Sequence, residues 1–243
     1  MMTNLEKTFI FYKDLAISKS SLGVIDGQTI NSIYEAILEI HDKKIEGDIM
    51  EVGAFRGNTA LFMKAILNEL GSDKKLYVYD MFESMPDGAD LKYGYSSENE
   101  CKRFPSGSFT SSIESVKEMF KEYNLLDDNV IFVKGNVEQT LLVNKPDSVS
   151  LLRIDVDLSS PYTCTLETCY DDVSINGYIF CDDSQFSFVE KAIVDFLKGR
   201  EIDLNKINFQ TPYRSGFVNF HRNTSKENLH HDNRRIFWRK DFK

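Results

Sequence analysis

Apolar positions fall at helical spacing at Ile30, Ile33, Tyr34, Ile37 and Leu38, which predicts an amphipathic helix over about 29–42, inside a helical N-terminal segment spanning 1–46. DIMEV (48–52) then reads as a short buried strand that runs into the turn GAFRG (53–57). Leu61, Phe62, Ala65, Ile66 and Leu70 predict a second amphipathic helix, with Gly71 as its C-cap. KLYVY (75–79) is the next strand, closed by Asp80. Residues 81–109 show no period and carry Pro86, Pro105, glycines and the aromatics Tyr93, Tyr95 and Phe104. So long a connection inside one domain marks a lid or binding loop.

Ser111 and Glu114 form a capping-box pattern that opens a helix with Ile113, Val116, Phe120 and Tyr123 on one face. Strands follow at NVIFV (129–133), VSLLRI (149–154) and GYIFC (177–181). Ser160-Pro161 predicts an N-cap with proline at the first helical position. Ser187 and Glu190 open a helix through Ala192, Ile193, Phe196 and Leu197, stopped by Gly199. This alternation predicts one α/β domain with a mostly parallel central sheet. The tail, 204–243, has strand candidates at 206–211, 216–221 and 235–239, with a polar loop at 222–233, and predicts an antiparallel finish.

Composition narrows the field. Of the 243 residues, 42% are hydrophobic and 12% aromatic, enough for a sizeable core and against disorder. The net charge of −9 opposes binding to a phosphate backbone through a broad basic face, so no nucleic-acid partner is expected. No apolar run reaches membrane-span length, and the first residues do not form a secretory leader. Cys101, Cys164, Cys169 and Cys181 include no C-x-x-C pair. They read as reduced thiols of a cytoplasmic protein with no membrane partner.

In an open parallel sheet, ligands bind outside the carboxyl ends of the strands. The distinctive residues gather there: EVGAFRGNT (51–59), Asp80, Gly135-Asn136, Asp155 with Asp157, and Asp182 with Asp183. Gly53 permits a tight turn, and Gly57 stands where the next helix offers free N–H groups. This is not a G-x-G-x-x-G fingerprint, which weighs against a dinucleotide. Asp80 suits two ribose hydroxyls, or else a turn cap. The four strand-end aspartates are oxygen donors suited to Mg²⁺, Mn²⁺ or Ca²⁺ and not to zinc. Their strand-tip set is Asp155, Asp182 and Asp183, with Asp157 alternatively capping the helix entry at Ser160. Other readings fit single pieces: a D-x-D glycosyltransferase, a haloacid-type phosphohydrolase, a nicotinamide dehydrogenase, or a non-catalytic nucleoside-binding module.

Taken together, GDIMEVGAFRGNTA (47–60), YVYDMFESMP (77–86), VIFVKGNVEQTL (130–141), LLRIDVDLSSPY (151–162), NGYIFCDD (176–183) and IFWRK (236–240) resemble the macrocin-type sugar O-methyltransferases. The resemblance implies a Rossmann-like class I methyltransferase fold, S-adenosylmethionine as cofactor and Mg²⁺ (or Mn²⁺) as metal. It implies that Glu51, Gly53, Phe55, Arg56, Gly57, Asn58 and Thr59 shape the cofactor's amino-acid pocket. Asp80, Met81 and Phe82 would lie by the ribose, and Ser108, Gly135, Asn136 and Val137 by the adenine. Asp155, Asp182 and Asp183 would ligate the metal, with Asp155 also a cofactor contact and the catalytic base. The acceptor implied is a sugar or glycoside with vicinal hydroxyls, and a homodimer is the implied assembly. Where the family often has tyrosines, this chain has Ser159 and Ser184, and Asn136-Val137 replaces an aromatic pair. These departures bear on the acceptor more than on the cofactor, and a macrolide is not implied.

Overall fold

The computed structural model describes residues 2–19, 27–202 and 236–240. The short apolar runs become one sheet: β1 (Asp48–Val52), β2 (Leu76–Asp80), β3 (Val130–Lys134), β4 (Val149–Ile154), β5 (Val173–Cys181) and β6 (Ile236–Arg239). The order is β3-β2-β1-β4-β5-β6, with the first five parallel and β6 antiparallel to β5. Every β4 residue is buried, which is why its sequence reads as a continuous apolar run and not as an alternation.

Helices cover both faces. α1 (Asn4–Lys19), α2 (Gly27–Asp42), α3 (Asn58–Glu69) and α5 (Ile113–Glu122) pack on one side around Ile33, Ile37, Phe62, Ile66 and Phe120. α7 (Ser159–Cys169), α8 (Ser187–Gly199) and the short α6 (Val137–Thr140) pack on the other, around Tyr162, Leu166, Ile193 and Leu197. From β1 the chain first builds outward through β2 and β3. It then crosses back to place β4 on the other side of β1. That reversal puts the switch-point crevice between the exits of β1 and β4.

Several local expectations shift. The 81–109 segment is not wholly irregular: it contains a 3-10 turn at Gly88–Asp90 and a short helix, α4 (Glu98–Arg103). α5 is capped by Ser112, whose hydroxyl accepts from the Ser115 N–H at 3.2 Å, and not by Ser111. Ser111 instead donates its own N–H to the Glu83 carbonyl. α7 starts one residue early, at Ser159, so Ser160 and Pro161 lie inside its first turn. Proline is tolerated there because first-turn N–H groups have no partner within the helix. α8 likewise begins at Ser187 itself, after Phe186. β5 starts four residues before Gly177. Of the tail, the strand expected at 235–239 appears as β6. The candidates at 206–211 and 216–221 and the loop at 222–233 lie outside the described residues. Lys240, just beyond β6, is buried and donates to the carbonyls of Tyr170 and Val173 at 2.9 Å each, tying the chain end to the foot of α7. Among the described residues no helix is long and apolar enough to cross a membrane.

Candidate active site

The turn after β1 is built by close approach. Gly53 has φ +92°, and a Cβ there would sit 1.8 Å from the Asp155 carbonyl oxygen. Only glycine lets the β1 exit pass the β4 exit this closely. Two residues on, Phe55 adopts φ +48° and donates its N–H to Asp80 Oδ2 at 2.8 Å. Asp80 Oδ1 accepts from the Phe82 N–H at 2.7 Å. One carboxylate thus ties the β1 and β2 exits together. Burial pushes the Asp80 carboxyl up from its ordinary range, and the backbone N–H donors oppose that shift. A carboxylate has about four acceptor sites, more than the backbone N–H groups of Phe82, Phe55 and Ala54 use, so Asp80 can still accept from a hydroxyl donor.

Beneath the turn lies a charged floor that no motif announced. Arg153 on β4 is in register with Glu51 on β1. Its guanidinium donates to Glu51 Oε1 at 2.5 Å, to Asp155 Oδ2 at 2.6 Å, and to Asp182. Arg153 is 2% exposed and Glu51 0%. The signal was a single cation in VSLLRI and the one buried anion in DIMEV, on two largely apolar strands that the topology makes neighbours. Burial pushes the Glu51 carboxyl up to about 7, against the pull of Arg153 and with the push of Asp155 and Asp182. Among the described residues, Glu51 Oε2 and Arg153 Nε have no hydrogen-bond partner.

Asp157 and Asp183 sit beside this floor, both in the left-handed region, at φ +59° and +56°. Asp183 Oδ2 accepts from the Asp157 N–H at 3.0 Å and from the Tyr162 hydroxyl at 3.2 Å. Burial, then the charge of Asp155, pushes the Asp157 carboxyl up to about 8. Asp183 is raised well above the carboxylate range by burial and by the same neighbours. Carboxylates therefore outnumber cations here, and the donors are all hard oxygens. That chemistry fits a divalent cation such as Mg²⁺. Among the described residues, no group of three or more His, Cys, Asp or Glu side chains is arranged as a formed metal centre.

Above the floor opens a cavity of about 370 Å³. Of the residues the sequence singled out, Gly53, Phe55, Asp80, Met81, Asn136, Val137 and Asp155 line it, and Asp157 joins them. Others stand outside its lining. Glu51, Asp182 and Asp183 belong to the floor. Gly57, Asn58 and Thr59 form the cap and first turn of α3. Arg56 lies over the Phe55 ring, 5.0 Å from its centroid. Phe82 buries its ring in the core against Phe132. Ser108 contributes its carbonyl to the Met85 N–H, and the Gly135 N–H donates to the Asp80 carbonyl.

The 81–109 segment closes the cavity. Leu91 and Phe104 pack with Leu158, and the Phe104 ring meets Phe186 edge-on with centroids 5.1 Å apart. Arg103 lines the same end, its guanidinium 5.5 Å from the Phe186 centroid. These wall residues carry no motif. Their only sequence signal was the aromatic content of the loop.

The family model described as Macrocin-O-methyltransferase (TylF) matches residues 16–214. The chain belongs to this family. Two curated relatives are demethyldecarbamoylnovobiocin O-methyltransferase of Streptomyces niveus and 8-demethyl-8-(2,3-dimethoxy-alpha-L-rhamnosyl)-tetracenomycin-C 4'-O-methyltransferase of Streptomyces olivaceus. The first is 31% identical over 157 residues, 63% of this chain and 59% of the relative. The second is 31% identical over 159 residues, 64% of this chain and 59% of the relative. The matched stretch thus spans 59% of the length of each relative. In fold, the chain resembles the solved O-methyltransferase NovP, with a TM-score of 0.73 at 24% identity, over 89% of this chain and 81% of that one.

Proposed function

We propose that this macrocin-family protein is an S-adenosylmethionine-dependent O-methyltransferase. Its acceptor is a hydroxyl of a sugar or glycosylated small molecule, and a divalent metal, Mg²⁺ or Mn²⁺, assists. The observation that carries this reading is the meeting of three features in one cavity: the Gly53 turn, the Asp80 carboxylate and Asp155. The glycine turn admits a ligand's backbone-close approach. Asp80 offers acceptors to a ribose, and Asp155 brings a carboxylate to where an acceptor hydroxyl would sit. The name of the Streptomyces olivaceus relative prints a rhamnosyl group on its substrate, which agrees with that acceptor class.

S-adenosylmethionine supplies an electrophilic methyl group, so the chain's own work is placement and proton handling. Asp80 orients the cofactor's ribose, and Gly53 and Phe55 shape the path of its tail. Asn136 and Val137, which line the cavity beyond the β3 exit, would lie beside the adenine. The 81–109 segment excludes water and holds the acceptor in line, where positioning contributes much of the rate. Asp155, one oxygen already tied to Arg153, accepts the proton from the hydroxyl as the C–O bond forms and the methyl carbon–sulfur bond breaks, leaving S-adenosylhomocysteine. Asp155, Asp182 and Asp183 would hold the metal, whose chemistry when bound would be to lower the acceptor hydroxyl's pKa.

The test is methyl transfer from isotopically labelled S-adenosylmethionine to a panel of rhamnosides, glucosides and nucleotide-sugars, with Mg²⁺ and with EDTA. Labelled product in the Mg²⁺ arm and its loss in EDTA are expected. Tight binding of a nucleotide-sugar with glycosyl transfer and no label in product would overturn the reading.

A further inference from the structure

The 81–109 segment is fixed to the rest of the protein by a carboxylate. Glu100, on α4, is fully buried and forms no ion pair among the described residues. Its Oε1 accepts from the Ser159 N–H at 2.6 Å. Its Oε2 accepts from the Ser159 hydroxyl at 3.0 Å and from the Ser96 N–H and hydroxyl, each at 2.6 Å. Ser159 is the first residue of α7 and lies two residues beyond Asp157. The positive end of a helix suits an anion.

Each oxygen of Glu100 receives a backbone N–H. A glutamine of the same size must therefore aim its NH₂ group at one of those N–H groups, whichever way it is turned. The geometry demands a carboxylate and not merely a polar side chain.

A second tie lies next to the first. The Tyr93 N–H donates to Ser160 Oγ at 2.9 Å, and Ser160 Oγ donates to Glu138 Oε1 at 2.5 Å. Glu138 Oε2 accepts from the Lys92 N–H at 2.5 Å. Both ties thus land on consecutive serines that directly follow the Asp155–Leu158 run.

We propose that Glu100 is the positioning residue that holds the 81–109 segment closed over the strand end carrying Asp155 and Asp157. Ligand exchange then requires its bonds to Ser159 to break. The identity of the exchanged ligand rests on the function proposed above; the closure itself does not.

The experiment is hydrogen exchange by mass spectrometry on the full chain, free and with S-adenosylhomocysteine, comparing wild type with Glu100→Gln. Backbone amides in 88–104 should exchange at least about tenfold faster in the variant, the equivalent of about 1.4 kcal/mol, while those of β1 and β4 keep their wild-type rates. Dissociation of S-adenosylhomocysteine in stopped flow should accelerate by about the same factor. Ser159→Ala removes one of the four bonds, so it should show a smaller acceleration in the same peptides, and it serves alone if Glu100→Gln does not fold. Adding Ser159→Ala to Glu100→Gln should change little. Unchanged exchange in 88–104, or acceleration spread evenly across the sheet, would overturn the proposal. Failure of the wild type to bind S-adenosylhomocysteine would instead overturn the function proposed above, while exchange in the free protein still decides the role of Glu100.

Discussion

Replacing Gly53 by alanine tests the central geometric feature of the site. The added Cβ would lie 1.8 Å from the Asp155 carbonyl oxygen, well inside any carbon–oxygen contact, and φ is +92°. The backbone penalty for a side chain in this region is about 1–2 kcal/mol. Relieving the overlap costs about 1–3 kcal/mol more, because two strand exits must part in a packed interior. For a domain of this size each kcal/mol lowers Tm by about 2–4 °C. Gly71→Ala is the matched control: its φ is +62°, and an added Cβ would meet nothing within 4 Å. It should carry the backbone penalty alone. Thermal denaturation and calorimetric titration with S-adenosylhomocysteine are the assays. Gly53→Ala should melt well below Gly71→Ala and lose at least about a hundredfold in affinity, since the turn that shapes the cofactor's path moves. Equal melting temperatures for the two variants, with affinity intact, would refute the argument.

Three further outcomes are expected. Asp155→Asn should abolish methyl transfer to any acceptor found by the labelled-cofactor screen and leave S-adenosylhomocysteine affinity within about threefold; loss of cofactor binding alone would contradict its assignment as base. Glu51 titrates near 7 in the fold against an ordinary 4.5, so the folded state holds its proton more tightly. This group's contribution to stability is therefore full below the ordinary value and declines as pH rises towards 7, by at most about 1.4 kcal/mol per pH unit. Urea denaturation between pH 5 and 8 should show a flatter profile for Glu51→Gln, and parallel profiles would contradict the burial argument. A thiol reagent at pH 8 should label Cys101 quickly and the buried Cys164, Cys169 and Cys181 only after unfolding. Burial holds Cys169 up at about 12, far from the reactive thiolate. Rapid labelling of more than one thiol in the native protein would contradict the buried placement.

The parallel sheet was legible because its strands are short apolar runs with helices between them; β1 through β4 fell within a residue of where the pattern put them, and β5 began four residues earlier. The strand-end acids were legible too, since Asp80 and Asp155 close strands whose ends a parallel sheet must bring together. The start of α7 was misjudged by a residue because a distant group serves its first N–H. Glu100 serves Ser159 from 59 residues away, and no local pattern encodes that. The same reason hid Arg153. A charge within an apolar strand has meaning only once the strand order puts Glu51 beside it. The turn residues Gly57, Asn58 and Thr59 followed the motif into the neighbourhood of the cavity and not into its wall. The apolar wall around Phe104 and Phe186 joins the lid to the α8 entry, and such pairings are set by tertiary packing.

The central claim is that the cavity between the exits of β1 and β4 binds S-adenosylmethionine. Calorimetric titration of the purified protein with S-adenosylhomocysteine, with and without Mg²⁺, tests it most directly. Micromolar binding, lost in Gly53→Ala and weakened in Asp80→Ala, is the predicted result. A folded protein that takes up no S-adenosylhomocysteine in either condition would contradict it.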